Sequence, residues 1–288
     1  MRDQLMFVQF PHPGPEHKPS GAEMPWSPLI DARGGRVQHA RKFLKVTGDY
    51  LADGTLRTGP LAFWGEWEPQ SHVLSGFPDL DDGFPRWLHD PYWHRPDGSP
   101  PRQNTDPLVF GDHFLYSNCR QQQNRRLRTL APGSVILYGS KKAGELKFVL
   151  DTVFVVGEGT DEFTVESSEG IDCPDWVQEV VFEPLRSDPE PAAGTFSLYR
   201  SRTFQEDPVG PFSFVPCRPC EDEFSSVFVR PIIDLGEPWV KPSHWRGARC
   251  TVTSQSQLRG LWDEVVRQVE AAGLALGVRL PAPLEKRP

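Results

Sequence analysis

Nothing in the 288-residue chain approaches the roughly 18 consecutive apolar residues of a membrane-crossing helix. The opening segment, Met1 to Pro11, breaks at proline after too few apolar positions for the core of an export signal. Cysteine is scarce: Cys119, Cys173, Cys217, Cys220 and Cys250 are odd in number and unevenly spaced. A disulfide framework is therefore not expected, and reduced thiols in a cytoplasm are. Basic residues are in the minority, 31 against 39 acidic ones, and a net charge of −8 argues against nonspecific coating of nucleic acid. P-loop, GxGxxG, GxSxG and HExxH motifs are all missing. Their absence removes the commonest readings as nucleotide-hydrolysing enzyme, dehydrogenase, serine hydrolase or metalloprotease.

Proline and aromatic residues, by contrast, are plentiful. Thirty prolines are about twice the usual share, which disfavours long helices and favours a β-rich fold with constrained loops. Eighteen Phe, nine Trp and five Tyr supply the mass of a core. Strand-like runs are Leu5 to Phe10, Lys42 to Leu51, Leu61 to Glu68, Leu108 to Tyr116, Ser134 to Tyr138, Leu146 to Val156, Thr195 to Arg200, Phe212 to Val215 and Val227 to Ile233. Residues 11 to 35 and 78 to 107 read as long Pro-rich connections that pack over a site. Ser254 with Gln257 forms a capping box ahead of Leu258, Leu261, Trp262, Val265, Val266, Val269 and Ala272, and Gly273 ends that helix. A shorter helix is expected over Asp175 to Phe182. The expected class is α+β: a twisted, mainly antiparallel sheet or small barrel, overlaid by Pro-rich loops and closed by the C-terminal amphipathic helix. Residues 1–182 form its β-rich core, and residues 183–288 a Pro-rich extension and helix packed on that core.

The densest chemistry lies in Phe63-Trp64-Gly65-Glu66-Trp67-Glu68-Pro69. Period two puts Trp64, Glu66 and Glu68 on one strand face. An indole beside two carboxylates suits a nucleobase, by stacking and by accepting from exocyclic N–H groups. The same acids suit acid–base work, a metal, or salt bridges to structural arginines. A second constellation, Asn104 to Gln121, mixes donors and acceptors with aromatics as a pocket lining does, and holds Tyr116, Asn118 and Gln121. Cys119 beside His113 reads as a buried structural cysteine rather than a nucleophile–base pair. Residues 120 to 147 carry Arg120, Arg125, Arg126, Arg128, Lys141, Lys142 and Lys147 against Glu145 alone, a candidate phosphate track or a solvated loop. His12, Glu16 and His17 read as hydrogen-bonded loop residues, since their spacing matches no zinc signature. Cys217 and Cys220 would need Cys173 and Cys250 to complete a zinc site, so no cofactor is expected. Asp151, inside the apolar run Phe148 to Val156, marks a bulge or a backbone-paired acid ahead of a site carboxylate.

Taken together, Phe10-Pro11-His12-Pro13-Gly14 with Glu16-His17, Phe63 to Pro69, Thr105 to Cys119, Gly133 to Ser140 and Phe148 to Val156 resemble an uncharacterised bacterial family. More loosely, the basic strand pair and aromatic pocket are similar to the PUA-like superfamily, whose ASCH, EVE and YTH members are small β-barrels that read RNA or modified bases. That similarity implies an aromatic cage of Trp64, Trp67 and Tyr116, with Glu66, Asn118 and Gln121 reading base edges.

Three functions follow as expectations. The first is binding of a nucleobase or nucleotide, free or flipped from a single strand, with Trp64 as platform, Glu68, His12 and His17 nearby, and Arg120, Arg125, Arg126, Lys141 and Lys142 for phosphate. The second is hydrolysis of a small nucleotide-like substrate by Glu, His and Asp groups or a metal. The third is a protein-interaction module with an exposed apolar surface. No membrane partner is expected.

Overall fold

A computed structural model describes residues 3–286 apart from 13, 32, 38, 96–100, 105–106, 143, 192, 221–224 and 245–246. Pro13, Thr105 and Asp106 of the sequence blocks thus lie outside the described residues. In chain order the strands are β1 (Met6–Pro11), β2 (Glu23–Met24), β3 (Arg41–Ala52), β4 (Thr55–Glu66), β5 (Ser71–Gly76), β6 (Trp87–Trp93), β7 (Leu115–Tyr116) and β8 (Val135–Lys141). They continue with β9 (Phe148–Phe163), β10 (Phe196–Ser201), β11 (Val215–Pro219), β12 (Ile232–Ile233), β13 (Arg249–Val252), β14 (Ala275–Arg279) and β15 (Leu284–Glu285).

They form two mixed sheets. One runs β13-β1-β8-β9-β10-β7 with β12 beside β9, and the other β14-β11-β4-β3-β6-β5-β2 with β15 beside β6 and a further β14–β3 pairing. Most pairings are antiparallel; β1–β8, β3–β6 and β6–β15 are parallel. The architecture is α+β and is built as two sheets, not as one closed barrel. Residues after 183 supply strands to both: β13 pairs with β1, and β11 and β14 join β4 and β3.

Alternation along β4 explains why the sheets share their core. Leu61 and Phe63 face one apolar cluster, together with Trp67 beyond the strand, and Ala62 and Trp64 face the other. The second cluster is closed by the helix Gln255–Ala271, whose Leu258, Trp262, Val265 and Val269 are buried. Its capping box forms as the sequence dictates, Ser254 accepting from the Gln257 N–H, and Gly273 ends it at φ 72°. Residues 175–186 are helical but irregular, with a π turn over Gln178–Phe182.

Some elements differ from expectation. The 78–107 connection contains β6, in which Pro91 stands opposite Ser71 of β5 while only Leu88 and His89 pair with both β5 and β3. The Leu108 to Tyr116 run contracts to β7, because Gly111 at φ 99° turns the chain and Leu108 and Leu115 bond each other. The run expected at Phe212 starts at Val215. Asp151 is the extra residue of a β8–β9 bulge: Tyr138 pairs with Thr152 and Gly139 with Leu150. Among the described residues, no helix is long and apolar enough to cross a membrane.

Candidate functional site

The loop after β1 builds the site. Its residues 15–17 lie alongside the start of β3, with the Arg41 N–H donating to the Pro15 carbonyl and the His17 N–H to the Arg41 carbonyl. Gly14 is required there, because a Cβ would stand 2.3 Å from the His39 carbonyl oxygen. Arg41, 5% exposed, fixes the loop from beneath. Its Nε donates to Asp151 Oδ2 at 2.5 Å, Nη1 donates to the Gly14 carbonyl at 2.5 Å, and Nη2 donates to the His12 carbonyl. Asp151 also accepts from Arg230 Nη1 at 3.1 Å. The bulge thus aims Asp151 at two arginines, and through Arg41 it acts on the loop that carries His12.

Across the β3–β4 pair, Arg41 faces Glu66, and the end of β4 delivers Glu66 and then Glu68 to the loop. His12 Nδ1 is 3.0 Å from Glu66 Oε2, while His39 Nδ1 is 3.0 Å from Glu66 Oε1 and 2.7 Å from Glu68 Oε1. Glu68 is fully buried; its backbone N–H donates to Asn104 Oδ1. Its Oε2 has no hydrogen-bond partner among the described residues and lies 3.9 Å from His17 Nε2. Burial alone would lower His12, but Glu66 and then Cys119 outweigh it and push the imidazole up to about 10. Burial likewise opposes ionisation of Glu68, yet His17 and His39 hold it down at about 2.

His39 is pulled two ways. Burial lowers it and Glu66 raises it, to about 9, which favours an imidazolium. Arg102 Nη2, however, stands 2.5 Å from His39 Nε2, where a guanidinium N–H can donate only to a lone pair. The Nε2 contact suits a neutral His39 with its proton on Nδ1, facing the carboxylates, while Arg102 Nε also lies 3.4 Å from Nδ1. The same contact bears on metal binding. His39, Glu66 and Glu68 each offer a ligand atom, all within 4.8 Å of one another, a set suited to a divalent ion. An ion on Nδ1 would move the proton to Nε2, directly against Arg102.

Above this chain opens a cavity of about 910 Å³ lined by His12, His39, Arg36, Arg102, Asn118, Cys119 and Arg120 among others. Arg36 is committed to Asp188 by two bonds of 2.8 Å. Arg120 is exposed and has no ion pair among the described residues. A neighbouring cavity of about 620 Å³ holds Glu16, Arg41, Trp64, Arg86, Lys141 and Arg230. Burial pushes Glu16 up to about 7 there, although it accepts from the N–H groups of Arg86 and Trp87.

The sequence-predicted residues divide accordingly. His12, His17, Glu66 and Glu68 come together, and Asn118 joins His12 on the larger cavity. Trp64 lines the smaller one; it is 5% exposed, its N–H donates to the Phe228 carbonyl, and Arg230 lies 5.4 Å from its ring centre. The aromatic cage does not assemble. Trp67 is buried against Phe110 with its N–H donating to the Gln70 carbonyl, and Tyr116 is buried and stacked on Tyr199. Gln121 is fully buried and bonded to both the carbonyl and the N–H of Ser197. These three are packing residues with no surface for a ligand.

The basic segment is also divided. Arg125 and Arg126 lie on a 3-10 turn before β8, with Arg126 donating to the Cys250 carbonyl, whereas Lys141 and Lys142 lie at the far end of β8, roughly 20 Å along a seven-residue strand. Lys142 pairs with Glu145. Cys217 and Cys220 are buried, and no three cysteines come within ligating range among the described residues. Sequence reasoning missed His39, Arg102 and Arg36, which sit in no motif, and discounted Cys119. No family model matches the chain, and no curated protein or solved structure matches it.

Proposed function

We propose that the protein is a hydrolase that takes a small anionic, nucleotide-like molecule into the larger cavity. The observation that carries this reading is the continuous His12–Glu66–His39–Glu68 chain at the floor of a cavity whose wall presents Arg102 and Arg120. With Glu66 holding it cationic, His12 enters the reaction as an acid for a leaving group, and the base so formed can take a proton back from water. Arg102 and Arg120 supply charge-assisted donors to a phosphate or carboxylate. Phosphate- and carboxylate-bearing esters and nucleotides, assayed for turnover, test it. His12→Gln is expected to lower kcat by about 10²–10⁴ with KM little changed, and Arg120→Gln to raise KM instead. Turnover that survives His12→Gln refutes the assignment.

The smaller cavity supports a second reading, binding of a nucleobase or nucleotide without turnover. The placement of Trp64 beside Arg86, Lys141 and Arg230, with Glu16 available to an amine, favours it. Calorimetry with nucleotides and short single strands checks it, and an affinity unchanged by Trp64→Leu counts against it.

A further inference from the structure

Cys119 differs in its surroundings from the other four cysteines. Cys217, on β11 between β14 and β4, and Cys220 just after that strand are buried, and burial pushes the Cys173 and Cys250 thiols up to about 11. Cys119 is half-buried on the wall of the larger cavity, and its side chain is hydrogen-bonded to the His12 imidazole. Nδ1 of that imidazole lies 3.0 Å from Glu66, and Glu66 is itself held at its second oxygen by His39. A thiol, an imidazole and a carboxylate are therefore joined in sequence, each in contact with the next.

The turn that presents the thiol is rigid. The Tyr116 hydroxyl donates to the Cys119 carbonyl at 2.8 Å, and Asn118 Nδ2 donates to Gln103 Oε1 at 3.2 Å. The N–H groups of Gln123 and Asn124 both donate to the Arg120 carbonyl. Arg120, the residue directly after the thiol, adopts φ 62°, a left-handed conformation that is unfavourable for a non-glycine residue and recurs where a side chain is held for function. Its guanidinium is exposed on the same cavity wall.

We propose that Cys119 is the nucleophile of this cavity, that His12 and Glu66 complete a thiol–imidazole–carboxylate triad, and that the substrate is an ester, thioester or amide of an acyl group bearing a phosphate or carboxylate. The turnover part rests on the hydrolase reading above; the thiol–imidazole pair does not. An imidazolium beside a thiol favours the thiolate, which is the attacking form. The sulfur adds to the carbonyl carbon, forming the S–C bond. The bond to the leaving group then breaks, its electron pair departs with that group, and the group takes the proton of His12. Water next gives a proton to His12 and its hydroxide to the acyl carbon, the S–C bond breaks, and the acid leaves with thiolate and imidazolium restored. Arg120 binds the anionic group outside this exchange.

Alkylation of the full chain with iodoacetamide and iodoacetate between about pH 5 and 9, read residue by residue by mass spectrometry, tests the pair. The titratable groups facing it are Glu66, Glu68, His17, His39, Arg102 and Arg120. Cys119 is expected to react first, about tenfold or more ahead of the other cysteines at pH 6, with a rate nearly flat across the neutral range. His12→Gln, and independently the isosteric Glu66→Gln, should return it to the profile of an ordinary thiol centred near pH 8.5. Iodoacetate should be favoured over iodoacetamide relative to a free thiol, and Arg120→Gln should abolish that preference. A Cys119 that titrates near pH 8.5 in the unaltered protein and in both variants overturns the proposal. A reactive Cys119 in a protein that hydrolyses no anionic ester upholds the pair and overturns the hydrolase reading.

Discussion

Replacing Arg41 with methionine removes the guanidinium that secures the His12 loop while keeping most of the aliphatic volume. The side chain is 6% exposed and its partner Asp151 8%. After the change Asp151 keeps Arg230 alone, at 3.1 Å, and the carbonyls of His12 and Gly14 lose their donor. Removing one member of a buried pair costs about 3–5 kcal/mol, and an orphaned buried carbonyl about 1–3 kcal/mol. These terms overlap, and Arg41 borders the smaller cavity, where water can relieve part of the loss. The expected net cost is about 3–4 kcal/mol, a large fraction of a typical 5–15 kcal/mol stability. Urea denaturation of the parent, Arg41→Met, Asp151→Asn and the double variant at constant m measures it. The double variant should fall short of the sum of the singles by about 1–3 kcal/mol, because each single leaves a partner stranded. A cost for Arg41→Met below about 1 kcal/mol, or strict additivity, refutes the idea that this ion pair holds the loop.

Further expectations concern pH, the loop and the helix cap. Since the fold raises His12 from 6.5 to about 10, its stabilising contribution is complete below pH 6.5 and disappears as pH climbs to 10; His12→Gln should therefore cost more at pH 6 than at pH 10 in paired urea titrations. Lys42 has the opposite sign. Burial lowers it from 10.5 to about 7 despite Glu68, so its charge opposes folding until pH rises through 7 toward 10.5, and Lys42→Met should compare more favourably with the parent at pH 6 than at pH 10. Gly14→Ala should displace the loop from His39 and slow Cys119 alkylation at pH 6, with little slowing if that close approach is unimportant. Ser254→Ala should lower stability by about 1 kcal/mol through loss of the capping box, and an unchanged midpoint counts against that box.

What the sequence disclosed follows how local each signal is. The capping box and the apolar stripe of the last helix are written within about twenty residues and appear as read. The β3 and β4 runs are also visible, since alternation and turn residues lie in one stretch; β6 is hidden by proline on both sides and within it. At the site, His12, Glu66 and Glu68 stand in recognisable blocks, but the contacts that give them meaning come from His39, Arg102 and Asp151, positioned by pairings that no spacing rule encodes. Cys119 shows this most directly. Its sequence neighbour His113 turns away, its Nδ1–H donating to the Ser201 carbonyl at 2.8 Å, and the imidazole that meets it belongs to the first loop of the chain. The aromatic residues mislead for a related reason: Trp67 and Tyr116 look like a cage in one dimension and become core once the sheets close around them.

The late arrival of several strands has a kinetic consequence. β1 cannot gain its β13 partner, nor β3 its β14 partner, until nearly the whole chain is available. During synthesis at about 5–20 residues per second the early apolar strands would wait many seconds with an unpaired edge. Closing such long loops is what makes folding slow in sheets with distant pairings. The order of the strands in the chain therefore makes the nascent protein dependent on protection from aggregation for longer than its modest size suggests.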